Sequence, residues 1–403
     1  MLDSIRNLLF LRSNLARLFL ADFIVRGFYQ IGKTPLLPLF AASIGAGELI
    51  IGFIVSVSTM TGMLLKPVFG ILSDRWGRKV WLLVATILFS GMPFLYQFVT
   101  TEQELMVLRL FHGISTAIFG PVSLAYVAGI NAKNLGERIA HFGISRLLAS
   151  LLAPLIAGVL LTFLDFQTVF LLIGFCSLFA MIPIFFLSEN HVTKPQKQVS
   201  IANQFYSSFK YSVGISAIWL AGFLELMVYL TIYAVKAFLP LFIISQEGGT
   251  VLQAGLFFFV QELSHIIFRP VGGRLSDRNS QSIVIIIGMI SISIGLCLLT
   301  NLPDNLLLIS AILFGVGQGL IFPSSVSLLS KKTHDAHIGA AMGLYGALRN
   351  LGKVIGPVIA GTMLSLYSYT TVFYIFAGLI TLTLLFILKF WLKEKSSIVS
   401  MIK

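Results

Sequence analysis

Long apolar runs alternate with short polar breaks along almost the whole chain. An α-helix needs about 20 apolar residues to cross the hydrocarbon core of a bilayer, and each run is of that order. The runs fall near residues 15–42, 49–71, 80–99, 105–129, 139–163 and 168–187, and then near 215–244, 253–273, 282–301, 306–329, 338–365 and 371–392. The pattern predicts an all-α membrane protein with twelve transmembrane helices. The longest polar stretch, Ser188 to Val213, which contains His191 to Lys197, splits them six and six. The predicted domains are an N-terminal six-helix bundle over 1–187, a cytoplasmic linker over 188–214 with a short amphipathic piece at 205–209, and a C-terminal six-helix bundle over 215–403.

The polar breaks are charged unequally. Alternate connections carry Arg75, Arg78, Lys79, Lys133, Arg138, Lys194, Lys197, Lys210, Arg274, Arg278, Lys331 and Lys332, and the tail adds Lys393, Lys395 and Lys403. The opposite connections carry Glu48, Glu102, Glu104, Asp165, Glu247 and Asp304, with no Lys or Arg. Basic residues collect on the cytoplasmic side, so both termini are expected in the cytoplasm. The stretch from Met1 to Arg17 lacks a small-residue cleavage site and reads as a cytoplasmic or interfacial helix rather than a signal peptide.

Composition agrees with the pattern. Of 403 residues, 57% are hydrophobic and 11% charged, against about 25% charged in soluble domains. The net charge of +12 forms no dense basic stripe interleaved with aromatics, so it points to membrane topology and not to nucleic acid. Cys176 and Cys297 lie in apolar runs and suggest neither a disulfide framework nor a metal site. The short loops hold no Asn-x-Ser/Thr sequon, which favours a bacterial inner membrane.

The two predicted bundles are copies. Lys66-Pro-Val-Phe-Gly70-Ile-Leu-Ser-Asp74-Arg75-Trp-Gly77-Arg78-Lys79 returns 203 residues later as Arg269-Pro-Val-Gly-Gly273-Arg-Leu-Ser-Asp277-Arg278. At the same offset Leu37-Pro-Leu-Phe40 becomes Leu239-Pro-Leu-Phe242, Arg146 becomes Arg349 and Asp22 becomes Glu225. Parallel six-helix repeats are a transporter plan.

These repeats resemble the major facilitator superfamily over essentially the whole length. Gly70 to Lys79 is similar to that family's signature loop between helices 2 and 3, with Gly273 to Arg278 as a degenerate second copy. Arg109-Leu-Phe-His-Gly113-Ile-Ser-Thr-Ala117 resembles its helix 4 motif. The fifth helix has Ala140, Ala149, Ala153-Pro154 and Ala157-Gly158 at the spacing of the antiporter glycine motif, with alanines replacing most glycines. The eleventh keeps Gly343, Gly352, Gly356-Pro357 and Ala360-Gly361.

The resemblance implies two pseudo-symmetric bundles and a conformational latch made by Gly70, Asp74, Arg75, Gly77, Arg78, Asp277 and Arg278. Gly70 and Gly77 would allow a tight turn. Asp74 would sit against the positive end of a helix near Ile338, with Arg78 holding its carboxylate, a contact worth about 0.3–2 kcal/mol. Arg75, Arg78 and Lys79 serve topology alone in the plainer reading.

Ionisable residues inside a span are functional candidates by default. The first helix carries Asp22, Arg26, Tyr29 and Lys33 on one face, a stripe of about 16 Å at 1.5 Å per residue. The seventh repeats the design with Glu225, Tyr229, Tyr233 and Lys236. In the family these two helices line the central cavity. The eighth helix adds Glu262, His265 and Arg269, the fourth Arg109, His112 and Thr116, the fifth Arg146, and the eleventh Arg349 and Lys353.

Asp22 and Arg26 could simply neutralise one another, while Asp22, Glu225 and Glu262 are the proton-coupling candidates. Burial favours a protonated carboxyl unless a cation sits close, which favours Glu225 and Glu262. His112 and His265 could titrate or merely pack. Lys66 and Arg269 read as snorkelling residues. The substrate-cavity candidates are Arg26, Tyr29, Lys33, Arg109, Arg146, Tyr229, Tyr233, Lys236, Arg349 and Lys353. Their cations outnumber the acids, which suits an anionic or zwitterionic small molecule; the 35 phenylalanines would accept a lipophilic body.

The expected protein is therefore not an enzyme. It is a monomeric secondary transporter in a lipid bilayer, working by alternating access with protons and without cofactor, metal or nucleic acid. Export by antiport is the first reading, and uptake of an anionic metabolite by symport or uniport is the alternative. No Gly-rich loop with Lys-Ser/Thr is present to bind a nucleotide.

Overall fold

The computed structural model describes residues 13–130, 135–188, 214, 216–278, 280–300, 307–333 and 338–402. Among these residues there is helix and no strand. The helices are α1 Asn14–Ile31, α2 Leu36–Ser43, α3 Glu48–Trp76, α4 Arg78–Leu95, α5 Glu102–Ile130, α6 Leu135–Phe163, α7 Phe166–Leu178, α8 Met181–Phe185, α9 Ser216–Ser245, α10 Val251–Arg278, α11 Gln281–Leu299, α12 Leu307–Lys332, α13 Ile338–Leu364 and α14 Tyr369–Ile402. Nearly all of the expected linker, including its amphipathic piece, lies outside the described residues.

Two runs that read as single spans are broken. The first divides into α1 and α2 at Gly32–Pro35, because proline lacks the N–H and disfavours a helical residue before it. Lys33 therefore lies in the turn and not on the helical face that carries Asp22, Arg26 and Tyr29. The sixth run divides into α7 and α8: Pro183 cannot donate to the Phe179 carbonyl, which accepts from the Ile182 N–H at 3.3 Å instead.

Among the described residues, ten helices are long and apolar enough to cross a membrane. The twelve predicted from the sequence exceed this by α1 and α13. Three charges, Arg17, Asp22 and Arg26, dilute α1, and Arg349, Asn350 and Lys353 dilute α13. Many large apolar side chains point outward, among them Leu64, Phe163, Phe185 and Leu382, as lipid rather than water would require.

Packing divides the chain into two compact units. One comprises Met1–Lys197 with Leu239–Gly255, and the other Gln198–Phe238 with Leu256–Lys403. The core of the first joins Leu18 and Val25 of α1, Phe89 of α4, Phe119 of α5, Phe142 of α6 and Ile184 of α8. The start of α10 belongs to this unit through close backbone approach. A Cβ on Gly158 would lie 3.2 Å from the Gly255 Cα, and one on Gly255 would lie 2.6 Å from the Pro154 carbonyl oxygen. The core of the second unit joins Ile218 and Ala221 of α9, Leu329 of α12, and Ala341 and Tyr345 of α13. Gly352 and Gly356 of α13 lie against the α9 backbone, where a Cβ would strike the carbonyl oxygens of Leu226 and Leu230. Small residues let helices gain dispersion contact where lipid supplies no hydrophobic drive between them.

The duplicated Ser-Asp-Arg segment is less of a loop than its composition suggests. α3 runs through Asp74 to Trp76, and α10 runs through Asp277 to Arg278. Gly70 is inside α3, and a Cβ on it would meet nothing within 4 Å, so it makes no turn. The turn rests on Gly77, whose φ of +90° suits glycine and which separates α3 from α4.

Candidate functional site

The first unit buries two polar clusters. In one, Asp22 of α1 is 0% exposed, accepts hydrogen bonds from two neighbours and is approached by a third. Arg26 Nε donates at 2.7 Å from the next turn of the same helix, and Ser145 Oγ of α6 donates at 2.6 Å. Arg146 Nε stands 3.7 Å away, and its guanidinium also reaches Ser123 Oγ at 3.4 Å. The 4-residue spacing on α1 produces the first contact, while the pairing of α1 with α6 produces the other two. Asp22 is a fully compensated acid.

The second cluster surrounds Arg109 of α5, only 1% exposed. Its Nη2 donates to Ser58 Oγ of α3 at 2.5 Å, and its Nη1 to the Tyr96 hydroxyl at 3.5 Å. Tyr29 Oη lies 3.3 Å from Ser58 Oγ, and the guanidinium stands 5.8 Å from the Tyr29 ring centre. Tyr96 Oη is 3.4 Å from His112 Nδ1. Gly113 makes this possible. A Cβ there would be 2.7 Å from Thr61 and 2.8 Å from the Ser58 carbonyl oxygen, so glycine lets α5 approach α3. Thr116 bonds its own helix, with Oγ1 2.8 Å from the Gly113 carbonyl oxygen, and packs on Gly62. Lys33 donates to Thr59 Oγ1 at 3.4 Å.

In the second unit Glu225 of α9 occupies the position equivalent to Asp22, and it too is buried, 1% exposed. Its surroundings differ. Among the described residues, neither carboxylate oxygen closes a hydrogen bond. The Tyr345 hydroxyl faces the carboxylate without good bonding geometry, and Arg349 and Lys353 act on it only through space. Both cations are turned to aromatic faces. Arg349 lies 5.6 Å and Lys353 4.9 Å from the Tyr229 ring centre, with Lys353 5.6 Å from Tyr233.

Glu262 of α10, favoured from the sequence on the condition that no cation sits close, behaves in the opposite way. Lys236 Nζ donates to it at 2.8 Å, and His265 Nδ1 stands 3.4 Å from its other oxygen. Arg269 stacks 4.5 Å over the Phe322 ring centre, more specific than free snorkelling. At the signature segment, Arg78 bonds Asp74 at 3.0 Å and the Ala125 carbonyl at 2.7 Å, tying the start of α4 to α3 and α5. Arg75, Asp277 and Arg278 occupy the helix ends of the two segments. No cluster of three or more His, Cys, Asp or Glu among the described residues is placed to hold a metal ion. Sequence reasoning missed Ser58, Tyr96, Ser145 and Tyr345. Their only signal was polarity inside an apolar run, which names no partner.

The model of the Major Facilitator Superfamily matches residues 18–234 and again 218–399, once for each copy of the repeat. An MFS-type transporter of Methanocaldococcus jannaschii is 27% identical over 359 residues, covering 86% of this chain and 92% of its own. The multi-drug resistance efflux pump PmrA of Streptococcus pneumoniae is 26% identical over 353 residues, covering 84% and 86%. In fold, the crystal structure of the nucleoside transporter NupG superposes with a TM-score of 0.79 at 16% identity, covering 94% of this chain and 99% of that one. The D-xylose-proton symporter gives 0.74 at 16% identity, covering 93% and 97%. With both copies of the repeat matched, the chain belongs to the major facilitator superfamily: it is a multi-pass membrane transporter and not an enzyme.

Proposed function

We propose that this transporter is a proton-coupled exporter of a small organic solute and that Glu225 carries the coupling proton. The observation that carries the reading is the environment of Glu225, a buried carboxyl whose oxygens close no hydrogen bond among the described residues. A buried ionised carboxylate without partners is expensive, and taking up a proton removes that cost. Arg349 and Lys353 are close enough to favour release when they turn from their tyrosines to the carboxylate. Asp22 and Glu262, each held by cations, act as structural ion pairs.

Export by antiport draws on the efflux pump PmrA and the multidrug resistance protein MdtG of Proteus mirabilis, 24% identical over 363 residues. The working form has twelve spans, with α1 and α13 crossing despite their charges, since Arg26 pairs with Asp22 in α1 and Arg349 and Lys353 of α13 lie over the Tyr229 ring. It is a monomer in an inner membrane, with both termini in the cytoplasm and a latch at Asp74 and Arg78. Arg349, Lys353 and Lys236, alternating with Tyr229 and Tyr233, suit an anionic or zwitterionic solute. That cation excess also supports the second reading, uptake of an anionic metabolite by symport or uniport.

The test is solute-driven proton movement in proteoliposomes loaded with a pH dye and challenged with a panel of lipophilic and anionic solutes. Wild type should move protons with at least one solute class, and Glu225→Gln should abolish that flux while folding normally. Unchanged flux in Glu225→Gln would remove Glu225 from the coupling role.

A further inference from the structure

We infer that the first unit holds a resident compact monovalent anion, of the size and charge of a halide, between Arg109 and His112. The site does not depend on the coupling role of Glu225. Arg109 is a buried cation inside a predicted span, about one turn from its start, and no carboxylate among the described residues forms an ion pair with it. The groups that act on it are Tyr96, Tyr29 and Ser58, all formally neutral. A lone guanidinium in such a place requires a counter-charge.

The hydrogen bonds show what kind of group is missing. Arg109 Nη1 donates to the Tyr96 oxygen, and the Tyr96 hydroxyl and His112 Nδ1 share a hydrogen bond at 3.4 Å whose direction follows the imidazole tautomer. In the tautomer with Nδ1 accepting, and in the imidazolium, the ring carries a hydrogen on Nε2. His112 Nε2 has no partner, and Arg109 Nε has none either. Arg109 Nε is a donor in every state and His112 Nε2 in those two, and both residues are at least nine-tenths buried. What they lack is an acceptor.

A cavity lies beside them, lined by Arg109, His112, Tyr29 and Tyr96 and closed by Phe89 and Phe170 among other apolar side chains. Its volume is about 10 Å³, room for the centre of one water-sized occupant. A spherical ion suits a site with so few donors and apolar walls better than a carboxylate or phosphate, each of whose oxygens needs donors of its own. A water would satisfy the donors but leave the charge of Arg109 uncompensated, whereas a halide does both. The apolar walls suit a weakly hydrated ion.

The test uses the purified full chain in detergent. Equilibrium binding of radioactive chloride should show a single saturable component, and the midpoint of thermal unfolding should rise with chloride or bromide but not with gluconate at equal ionic strength. His112→Phe should weaken chloride binding about tenfold, equivalent to about 1.4 kcal/mol, and Arg109→Gln should abolish it. Lys353→Gln, a cation in the other unit, should leave it unchanged. Should Arg109→Gln not fold, the wild-type measurement and crystals soaked in bromide still decide, because anomalous density must appear in this cavity. The inference fails if wild type shows no saturable halide binding, if gluconate stabilises equally, if the occupant proves to be water only, or if ultraviolet absorbance shows an ionised Tyr29 supplying the charge without any halide.

Discussion

Asp22 and Glu225 stand at equivalent positions of the two repeats, are equally buried, and differ in almost everything around them. Asp22 is bonded by Arg26 and Ser145 and approached by Arg146. At the same 203-residue offset the second unit has Tyr229, Leu348 and Arg349. Duplication kept the acid and one arginine, but replaced the second arginine by tyrosine and the hydroxyl by an alkyl group. The first acid became a structural tie between α1 and α6. The second kept its burial but closes no hydrogen bond among the described residues, with Arg349 and Lys353 acting on it only through space, and this is the basis of the proposed proton exchange. Equivalent positions of the repeat thus hold acids in two different electrostatic settings, with Tyr229 and Leu348 where the first unit has Arg26 and Ser145.

The contrast between the two acids can be broken at several points. The largest effect is expected from Asp22→Asn, which leaves Arg26 and Arg146 facing each other without a counter-charge. Loss of one partner from a buried ion pair costs about 3–5 kcal/mol, to be read as a large drop in thermal midpoint and yield. Glu225→Gln should not share that drop, and equal destabilisation by both would end the contrast. Next comes Ser145→Ala, which removes one donor to a buried charge. A loss of about 1.5–3 kcal/mol is expected in denaturation of the detergent-solubilised protein, without change in coupling stoichiometry. The smallest and sharpest is Tyr229→Arg, which returns the first unit's arginine to the second. A third cation near Glu225 should hold it ionised and cut coupled proton flux about tenfold, equivalent to about 1.4 kcal/mol. Flux equal to wild type would mean that the missing arginine does not explain the difference.

Much of the architecture was legible from the chain. Apolar runs of span length predict helices because a bilayer leaves the backbone no other way to bond itself, and the observed helices follow those runs closely. The breaks at Gly32–Pro35 and at Phe179–Ala180 went unread, since an apolar run shows no polar signal where a proline removes one donor. The Asp22–Arg26 pair was legible because both residues belong to one helix, four positions apart. The bonds to Ser145 and Ser58 were not, because they depend on how α1 meets α6 and how α3 meets α5. Glu225 and Glu262 look alike in sequence. Their separation rests on Lys236, which reaches across from α9 to Glu262 of α10, while Glu225 closes no hydrogen bond among the described residues.

The sequence by itself determined the repeat, the helical class and the family, all of which follow from local hydrophobicity and from residues close together in the chain. Only the tertiary structure decided which buried acids are paired, that Arg109 has no carboxylate among the described residues, and that the turn of the signature segment rests on Gly77 and not on Gly70. The physical reason is distance. Periodicity and composition act within one helix, whereas the energy of a buried charge is set within a few ångströms by side chains that arrive from other helices.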